Sequence, residues 1–181
     1  IDVPWSAGCY QYFAGWATKI YGDTVSLGAG SFNCTVKEPV GVVGAIVPWN
    51  FPILLATWKL APTLAAGCTV VLKPASNTPI TAIKLGEIFT DAGFPPGVVN
   101  IICGPGSKTG AAMATHPGID KISFTGSTAS GIELMKACAP SLKKITLELG
   151  GKSLNVVFAD ADIDAAVRGA TGGIFFNKGE M

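Results

Sequence analysis

Short apolar runs alternate with stretches of helical spacing along most of the chain. Runs rich in β-branched residues predict strands buried on both faces at residues 40–47, 68–73, 98–102, 121–124 and 144–149. Between them, apolar positions recur at helical spacing over residues 53–66, 79–92, 107–115 and 128–139. Thr78 is the expected N-cap of the second of these helices. The alternation predicts an α/β fold with a doubly wound, mostly parallel five-stranded sheet of the Rossmann-like type.

The beginning of the chain departs from this alternation. Apolar side chains recur at helical spacing from Tyr10 to Ile20, which predicts an amphipathic helix that Gly22 closes. Residues 31–38 alternate as a strand does and precede the sheet without an intervening helix, which is typical of an edge or arm strand. The sequence does not reveal the strand with which this segment pairs.

The pattern restarts after Gly150. An apolar run at residues 154–158 resembles a strand, and a helix opened by Asp160 or Asp162 follows it. This predicts the start of a second α/β domain. The closing stretch "FFNKGEM" contains Asn177 and Gly179 and is expected to form a surface turn, a place where loops often carry chemistry.

Composition and charge narrow the choice of partners. Hydrophobic residues make up 49% of the chain and charged residues only 14%, which indicates surfaces that further chain or partner subunits cover. A net charge of +1 without a basic run gives no electrostatic reason to expect nucleic acid or an anionic membrane as a partner. No apolar run has the length of a membrane helix and the first residues lack a signal peptide's basic region, so a cytoplasmic location is expected.

The cysteines are widely spread and form no CxxC pair, so neither a disulfide framework nor a metal site is expected. We expect each of them to be a reduced thiol that packs as a small hydrophobic side chain: Cys9, Cys34, Cys68, Cys103 and Cys138. The single histidine, His116, precedes Pro117 at the end of a predicted helix and is expected to be structural.

Three turns at the predicted carboxyl ends of strands have the chemistry to hold a nucleotide. Glycines follow a strand and open a helix with G-x-G-x-x-x-G spacing, although a tight turn that needs glycine only for its dihedral angles explains them equally well: Gly104, Gly106 and Gly110. In "FTGST", residues 124–128, free N–H groups at a helix N-terminus predict a pyrophosphate site. Lys73 ends a strand near Ser76 and is placed to meet ribose or phosphate, but a lone lysine is more often a solvated charge.

Several longer motifs resemble the aldehyde dehydrogenase superfamily. They stand in one order along nearly the whole chain: "EPVGVVGAIVPWNFP", "LKPAS", "FTGST", "LELGGKS" and "FFNKGEM". The resemblance implies a nucleotide-binding domain, a catalytic domain and an oligomerisation arm. It also implies that a small-molecule aldehyde is oxidised to a carboxylic acid with NAD or NADP as cofactor, by an enzyme that is a homodimer or homotetramer when full length.

On this resemblance the chain divides into three regions. Residues 1–39 are expected to supply the N-terminal helix and the strand of the oligomerisation arm. Residues 40–150 are expected to form the dinucleotide-binding domain, and residues 151–181 the start of the catalytic domain.

The resemblance also implies two catalytic residues. Asn50 corresponds to the asparagine whose amide, together with the backbone N–H of the nucleophile, stabilises the oxyanion of the tetrahedral intermediate. Glu148 corresponds to the general base that activates water to hydrolyse the thioester, and its apolar neighbours in "TLELGG" predict a buried side chain. From the residues alone, a turn former in a proline-rich loop is the favoured interpretation of Asn50, and an outward-facing strand residue explains Glu148 equally well.

The cofactor positions implied by the resemblance come from all three turns and the segments beside them. They are Ile46, Pro48, Trp49, Lys73, Ser76, Gly106, Gly110, Phe124, Gly126, Ser127, Leu149 and Gly150. Trp49 and Ser127 are expected at the pyrophosphate, Gly106 and Gly110 on the adenine side, and Leu149 at the nicotinamide end.

Lys73 and Ser76 are expected at the adenosine ribose and bear on the choice of cofactor. Family members that prefer NAD often have glutamate at the position of Ser76, where it repels a 2′-phosphate. Serine removes this repulsion and leaves Lys73 unopposed, so NADP is expected to be accepted.

In the family, the motif that resembles "FFNKGEM" continues directly into the catalytic cysteine, which would be residue 182. The five cysteines present match no part of that motif, so the chain is expected to be a fragment without its nucleophile. The alternative hypothesis is a naturally short, non-catalytic module that binds dinucleotide or pairs with other subunits. An ordinary alcohol or sugar dehydrogenase is disfavoured, because "PWNFP" and "LELGG" have no role there.

Overall fold

The structure is a computed structural model that describes residues 1–181. The chain begins with helix α1 (Asp2–Ala14), followed by an antiparallel ribbon of strands β1 (Thr24–Val25) and β2 (Asn33–Cys34). The helix predicted from the stripe between Tyr10 and Ile20 therefore starts earlier and ends earlier than expected. It ends at Ala14, because beyond Gly15 the hydrogen bonds tighten into a turn in which the N–H of Trp16 donates to the carbonyl of Phe13, three residues back. The strand predicted at residues 31–38 is real but only two residues long, and β1 is its partner.

The centre of the molecule is a parallel sheet of five strands. In chain order they are β3 (Val42–Ile46), β4 (Thr69–Lys73), β5 (Val99–Ile101), β6 (Lys121–Thr125) and β7 (Lys144–Glu148). In space their order is β5-β4-β3-β6-β7, and every neighbouring pair is parallel. The doubly wound α/β fold expected from the alternating pattern is confirmed.

Helices connect these strands, and each of them coincides with a helical stretch predicted from the sequence. They are α2 (Pro52–Ala65), α3 (Ile80–Asp91), α4 (Ala111–Thr115), which a π-helical turn at Gly106–Gly110 precedes, and α5 (Thr128–Cys138). Thr78 is not the N-cap of α3, because Pro79 occupies that position. The N–H of Thr78 donates instead to the carbonyl of Ala75, so Thr78 belongs to the turn before the helix.

Two hydrophobic clusters cover the two faces of the sheet. On one face, α2 and α3 pack against the central strands through side chains that include Leu60, Leu72 and Phe89. On the other face, α4 and α5 pack against them through Met113, Ile122 and other residues. The strand residues reach both faces because successive side chains alternate, which explains why the strands are apolar almost throughout.

The chain forms two compact units, Ile1–Leu149 and Gly150–Met181. The second unit contains helix α6 (Ile163–Phe175), and Asp162 is its N-cap, since its carboxylate accepts a hydrogen bond from the N–H of Ala165 at 3.0 Å. A short 3-10 turn at Phe176–Gly179 confirms the turn expected there. The strand expected at residues 154–158 is not formed, because a strand needs a hydrogen-bonding partner and this unit contains no other strand.

None of the helices combines the length and the apolar character that a membrane-spanning helix needs. All five cysteines are free thiols, as expected. Cys68 and Cys138 are buried, but Cys34 and Cys103 are exposed, so the expectation that every cysteine packs in the core is wrong for these two. Cys34 lies in the ribbon that no helix covers, and Cys103 lies in the turn beyond the end of β5.

Candidate functional site

The direction of chain winding reverses at β3, which has β4 on one side and β6 on the other. Successive connections run outward from β3 to β5 on one side and from β6 to β7 on the other. The loops that leave the carboxyl ends of β3 and β6 therefore diverge to opposite faces and leave a crevice between them. Open α/β sheets bind their ligands in this crevice, and the sequence candidates for cofactor binding occur in the turns at this edge.

The turn after β3 presents Trp49 and Asn50 at the crevice. The N–H of Val47 still donates to the carbonyl of Lys73 at 3.1 Å, so the sheet supports the chain up to this point. Pro48 follows, and α2 begins at Pro52, so only a short turn lies between the strand and the helix. Within this turn the Trp49 side chain is 47% exposed, whereas Asn50 is half-buried.

Lys73, the last residue of β4, is only 3% exposed and is not a solvated charge. Its amine donates a hydrogen bond to the carbonyl of Pro74 at 2.9 Å. Burial lowers the pKa of Lys73, and interaction with nearby Cys103 opposes this shift. The stem of Lys73 passes close to Gly110, since a β-carbon on Gly110 would lie 3.9 Å from the Lys73 Cδ.

Ser76 connects the turn after β4 to the turn after β5. Its hydroxyl donates a hydrogen bond to the carbonyl of Gly104 at 3.0 Å, while the side chain remains exposed. Because this bond joins two separate turns, the positions of Lys73 and of the glycine turn are fixed relative to each other.

The glycines of the turn after β5 have different physical reasons for being glycine. Gly104 has a φ of 147°, which other residues rarely adopt, so its dihedral angles explain it. Gly110 has an ordinary helical φ of −64°, and Gly106 also lacks a positive φ. A β-carbon on Gly106 would meet no atom within 4 Å, so this glycine leaves the backbone accessible from outside. At Gly106, a backbone left accessible to a ligand is therefore a better explanation than a requirement for dihedral angles that only glycine adopts.

The turn after β6 forms a capped helix N-terminus. The hydroxyl of Ser127 accepts a hydrogen bond from the N–H of Ser130 at 3.2 Å and donates to the Ser130 hydroxyl at 3.0 Å. A β-carbon on Gly126 would lie 2.5 Å from the ring of Phe124, so glycine is required by close packing there. The first N–H groups of an α-helix have no partner within the helix, so the start of α5 offers donors to an anion.

Glu148 ends β7, the outermost strand on this side of the sheet. Its carbonyl accepts a hydrogen bond from the N–H of Gly126 at 3.0 Å, which fixes the backbone of Glu148 beside the Ser127 turn. The side chain is exposed, so the prediction of a buried glutamate is wrong. The reason is strand alternation: Glu148 lies on the polar side of an edge strand whose apolar side chains, such as Leu147, point to the opposite face.

The remaining cofactor candidates lie beside these turns. Ile46 and Phe124 are buried in the core below the crevice and support its floor. The side chain of Leu149 lies against Gly131 of α5, within the first compact unit. Gly150 is exposed and begins the second compact unit.

Sequence reasoning missed Lys59, a buried lysine on α2. Its side chain is only 8% exposed, and its amine donates a hydrogen bond to the hydroxyl of Ser123 at 3.0 Å. Burial lowers its pKa to about 8, while attraction to Glu148 raises the pKa and repulsion from Lys121 lowers it. The signal available in the sequence was a single charged residue inside the otherwise apolar helix at residues 53–66.

A topological switch point, accessible glycine backbone and a capped helix N-terminus are features with which doubly wound α/β domains bind dinucleotides, so this edge of the sheet is a candidate dinucleotide site. The family model described as the aldehyde dehydrogenase family matches residues 1–181. The chain belongs to the aldehyde dehydrogenase family.

Individual relatives agree with this assignment. The chain is 55% identical to an aldehyde dehydrogenase of Alternaria alternata, over 99% of this chain and 36% of that protein. The structure of an aldehyde dehydrogenase from Bacillus cereus in its NAD+ complex superposes with a TM-score of 0.97 at 48% identity, over 99% of this chain and 37% of the other. An NADP-dependent enzyme of E. coli superposes with a TM-score of 0.96 at 45% identity, over 99% of this chain and 38% of that one. The chain therefore spans little more than a third of the length of the proteins it matches.

Proposed function

We propose that the whole protein to which this chain contributes oxidises an aldehyde to the carboxylic acid, with NAD or NADP as the oxidant. The observation that carries this proposal is the assembly, at one crevice of the sheet, of Asn50, the Ser127 helix start and Glu148. The reaction consumes the aldehyde, the oxidised cofactor and water, and it yields the acid, the reduced cofactor and a proton. The alternative of a non-catalytic module is not favoured by membership of a family of oxidoreductases.

The residues at the crevice fit a dinucleotide. The N–H groups at the start of α5, with Ser127, would hold the pyrophosphate, and Trp49 would lie beside it. The exposed backbone at Gly106 would face the adenine side, while Lys73 and Ser76 would approach the adenosine ribose. When bound, the nicotinamide supplies the acceptor for the hydride that leaves the substrate carbon.

Asn50 and Glu148 would act on the substrate in separate steps. The side-chain amide of Asn50 would donate a hydrogen bond to the oxygen that becomes negative when a thiol adds to the aldehyde carbon. The carboxylate of Glu148 would take a proton from the water that later hydrolyses the thioester. None of the five cysteines present matches the family's catalytic motif, so we assign the role of the nucleophilic thiol to none of them.

We propose further that the cofactor can be NADP as well as NAD. A hydroxyl at position 76 carries no charge to repel a 2′-phosphate, and the buried amine of Lys73 lies at the same edge. We also propose that the whole protein is a cytoplasmic homodimer or homotetramer, because the family implies an oligomerisation arm and the cysteines are free thiols.

Pre-steady-state kinetics of the complete enzyme test the function. Glu148→Gln should retain a burst of reduced cofactor near one equivalent per site, because hydride transfer precedes hydrolysis. Its steady-state rate should fall about 100-fold or more, since the base for water is lost. Asn50→Ala should lower the burst rate itself by about 100-fold. Loss of the burst in Glu148→Gln, or a steady-state rate equal to that of the wild type, would contradict the assignment.

A further inference from the structure

We propose that Ser123 is a positioning residue that holds the amine of Lys59 beside Glu148. This role for Ser123 rests on the proposed function of Glu148 as the general base. The direct observation is the hydrogen bond of 3.0 Å that the Lys59 amine on α2 donates to the Ser123 hydroxyl on β6.

Strand alternation places Ser123 on the same side of the sheet as α2. Its neighbours Ile122 and Phe124 point to the opposite face, where they belong to the core formed with α4 and α5. The parallel register continues this pattern onto β7, so that Ser123 is paired with Thr146 and Thr125 with Glu148. The two strands thus share a polar strip, which consists of Lys121, Ser123, Thr125, Lys144, Thr146 and Glu148.

Lys59 stands where the apolar core beneath α2 meets the polar strip. Its neighbour Leu60 belongs to the core cluster, whereas its own amine turns to Ser123. The charged groups that act on this amine come from both strands of the strip, Glu148 on β7 and Lys121 on β6. The amine is therefore held between an attracting carboxylate and a repelling ammonium, and a fixed position decides which of them dominates.

The hydroxyl of Ser123 supplies a hydrogen-bond acceptor to the buried amine of Lys59. A buried ammonium group is costly unless an acceptor replaces the water it has lost. The lysine side chain is a flexible four-carbon stem, so without an acceptor its amine is free to adopt other rotamers. Ser123 therefore provides both an acceptor for the charged form and a fixed point near Glu148.

A purely structural role for Ser123 is the competing explanation, because serine is small and Ser123 lies on the side of the sheet that α2 covers. The two explanations differ in the protonation of Lys59. A space-filling residue leaves the titration of Lys59 unchanged when alanine replaces it, whereas removal of an acceptor destabilises the ammonium form.

NMR titration of the complete enzyme with isotope-labelled lysine measures this protonation directly. The Lys59 signal is assigned with Lys59→Arg, and each variant is titrated from about pH 6 to about pH 11. In Ser123→Ala the Lys59 midpoint should fall by about one pH unit, which corresponds to loss of one hydrogen bond to a charged group. Ser123→Thr, which keeps the hydroxyl, should restore the midpoint.

Two further variants complete the test. Thr146→Val removes a hydroxyl from the register partner of Ser123 on the same polar strip and should leave the Lys59 midpoint unchanged. Glu148→Gln should lower the midpoint, because the attracting charge is removed.

The proposal is overturned if Ser123→Ala shifts the midpoint by less than about 0.2 pH unit, or if Glu148→Gln leaves it unchanged. If Ser123→Ala does not fold, Ser123→Val, which matches the shape of the Ser123→Thr variant without its hydroxyl, should lower the midpoint; an unchanged midpoint in this variant overturns the proposal equally. The titration is recorded without aldehyde or cofactor, so its failure is distinguishable from failure of the proposed oxidation.

Discussion

Lys59 shows at the scale of a single residue how burial sets a chemical property. Its pKa of about 8 results first from burial, and the charges of Glu148 and Lys121 modify it. Since an ordinary lysine titrates near pH 10.5 in the unfolded chain, the unfolded state binds more protons than the folded state between pH 8 and pH 10.5. The protonated amine therefore lowers the free energy of unfolding below pH 8, and this loss is recovered as the pH rises to 10.5.

We expect Lys59→Met to raise the free energy of unfolding at pH 7 by roughly 1–3 kcal/mol, because methionine fills the space without a charge to desolvate. The difference in the free energy of unfolding between the variant and the wild type should narrow as the pH rises from 8 to 10.5. Urea unfolding at a series of pH values measures it.

Lys59→Arg is the matched control, since arginine stays charged over this range and should show no such recovery. If the difference in the free energy of unfolding between Lys59→Met and the wild type stays constant with pH, the lysine is not desolvated, contrary to what the structure indicates.

At the scale of an element, helix α2 shows that the pattern of apolar residues alone does not reveal which neighbouring elements cover a helix. It is covered on one side by the sheet and on another by α1, and Tyr10 of α1 reaches Phe89 of α3 with ring centroids 5.8 Å apart. Burial raises the pKa of Tyr10 to about 12, although the nearby Thr57 hydroxyl lowers it. Because two neighbours cover α2, its sequence is apolar on more than one side.

Truncation of a core residue on α2 should be much more costly than truncation of an exposed one. Leu60 is fully buried at 0% exposure, so Leu60→Ala should lower the free energy of unfolding by about 2–5 kcal/mol. Ile83 on α3 is 46% exposed, and Ile83→Ala should change it by about 0.5 kcal/mol or less. Urea denaturation with an unchanged m-value is the measurement, and equal losses in the two variants would contradict the assignment of the core.

The candidate nucleotide site can be described only at the scale of the whole molecule, because turns from different strands must converge to form it. The hydrogen bond from Ser76 to Gly104 joins two of these turns. The parallel order of β4, β3 and β6 brings the turns to one edge. No single segment of the chain contains the site.

We expect the 181-residue chain to bind both NAD and NADP in calorimetric titrations. Ser76→Glu should weaken NADP binding about tenfold or more while NAD binding is retained, since a carboxylate repels the 2′-phosphate. Ser76→Gln has nearly the same size without the charge and should affect both cofactors alike. Equal losses of NADP binding in the Glu and Gln variants would show that charge at position 76 does not select the cofactor.

The sequence by itself determined the five strands of the parallel sheet, the helices between them and the turns that carry glycine, because periodicity and glycine placement are local properties that the backbone imposes. The family motifs also identified Asn50, Ser127 and Glu148 as candidate site residues. These features need no knowledge of distant contacts.

Only the tertiary structure decided which residues meet. The strand order and the bond between Lys59 and Ser123 join segments far apart in the chain. The pairing of β1 with β2 and the exposure of Glu148 likewise became visible only in the folded structure. Lys59 and Ser123 are 64 residues apart, and nothing near either of them in sequence signals the other. Such contacts arise because α2 packs across the sheet, and burial then gives the lysine a protonation behaviour that its sequence neighbours do not encode.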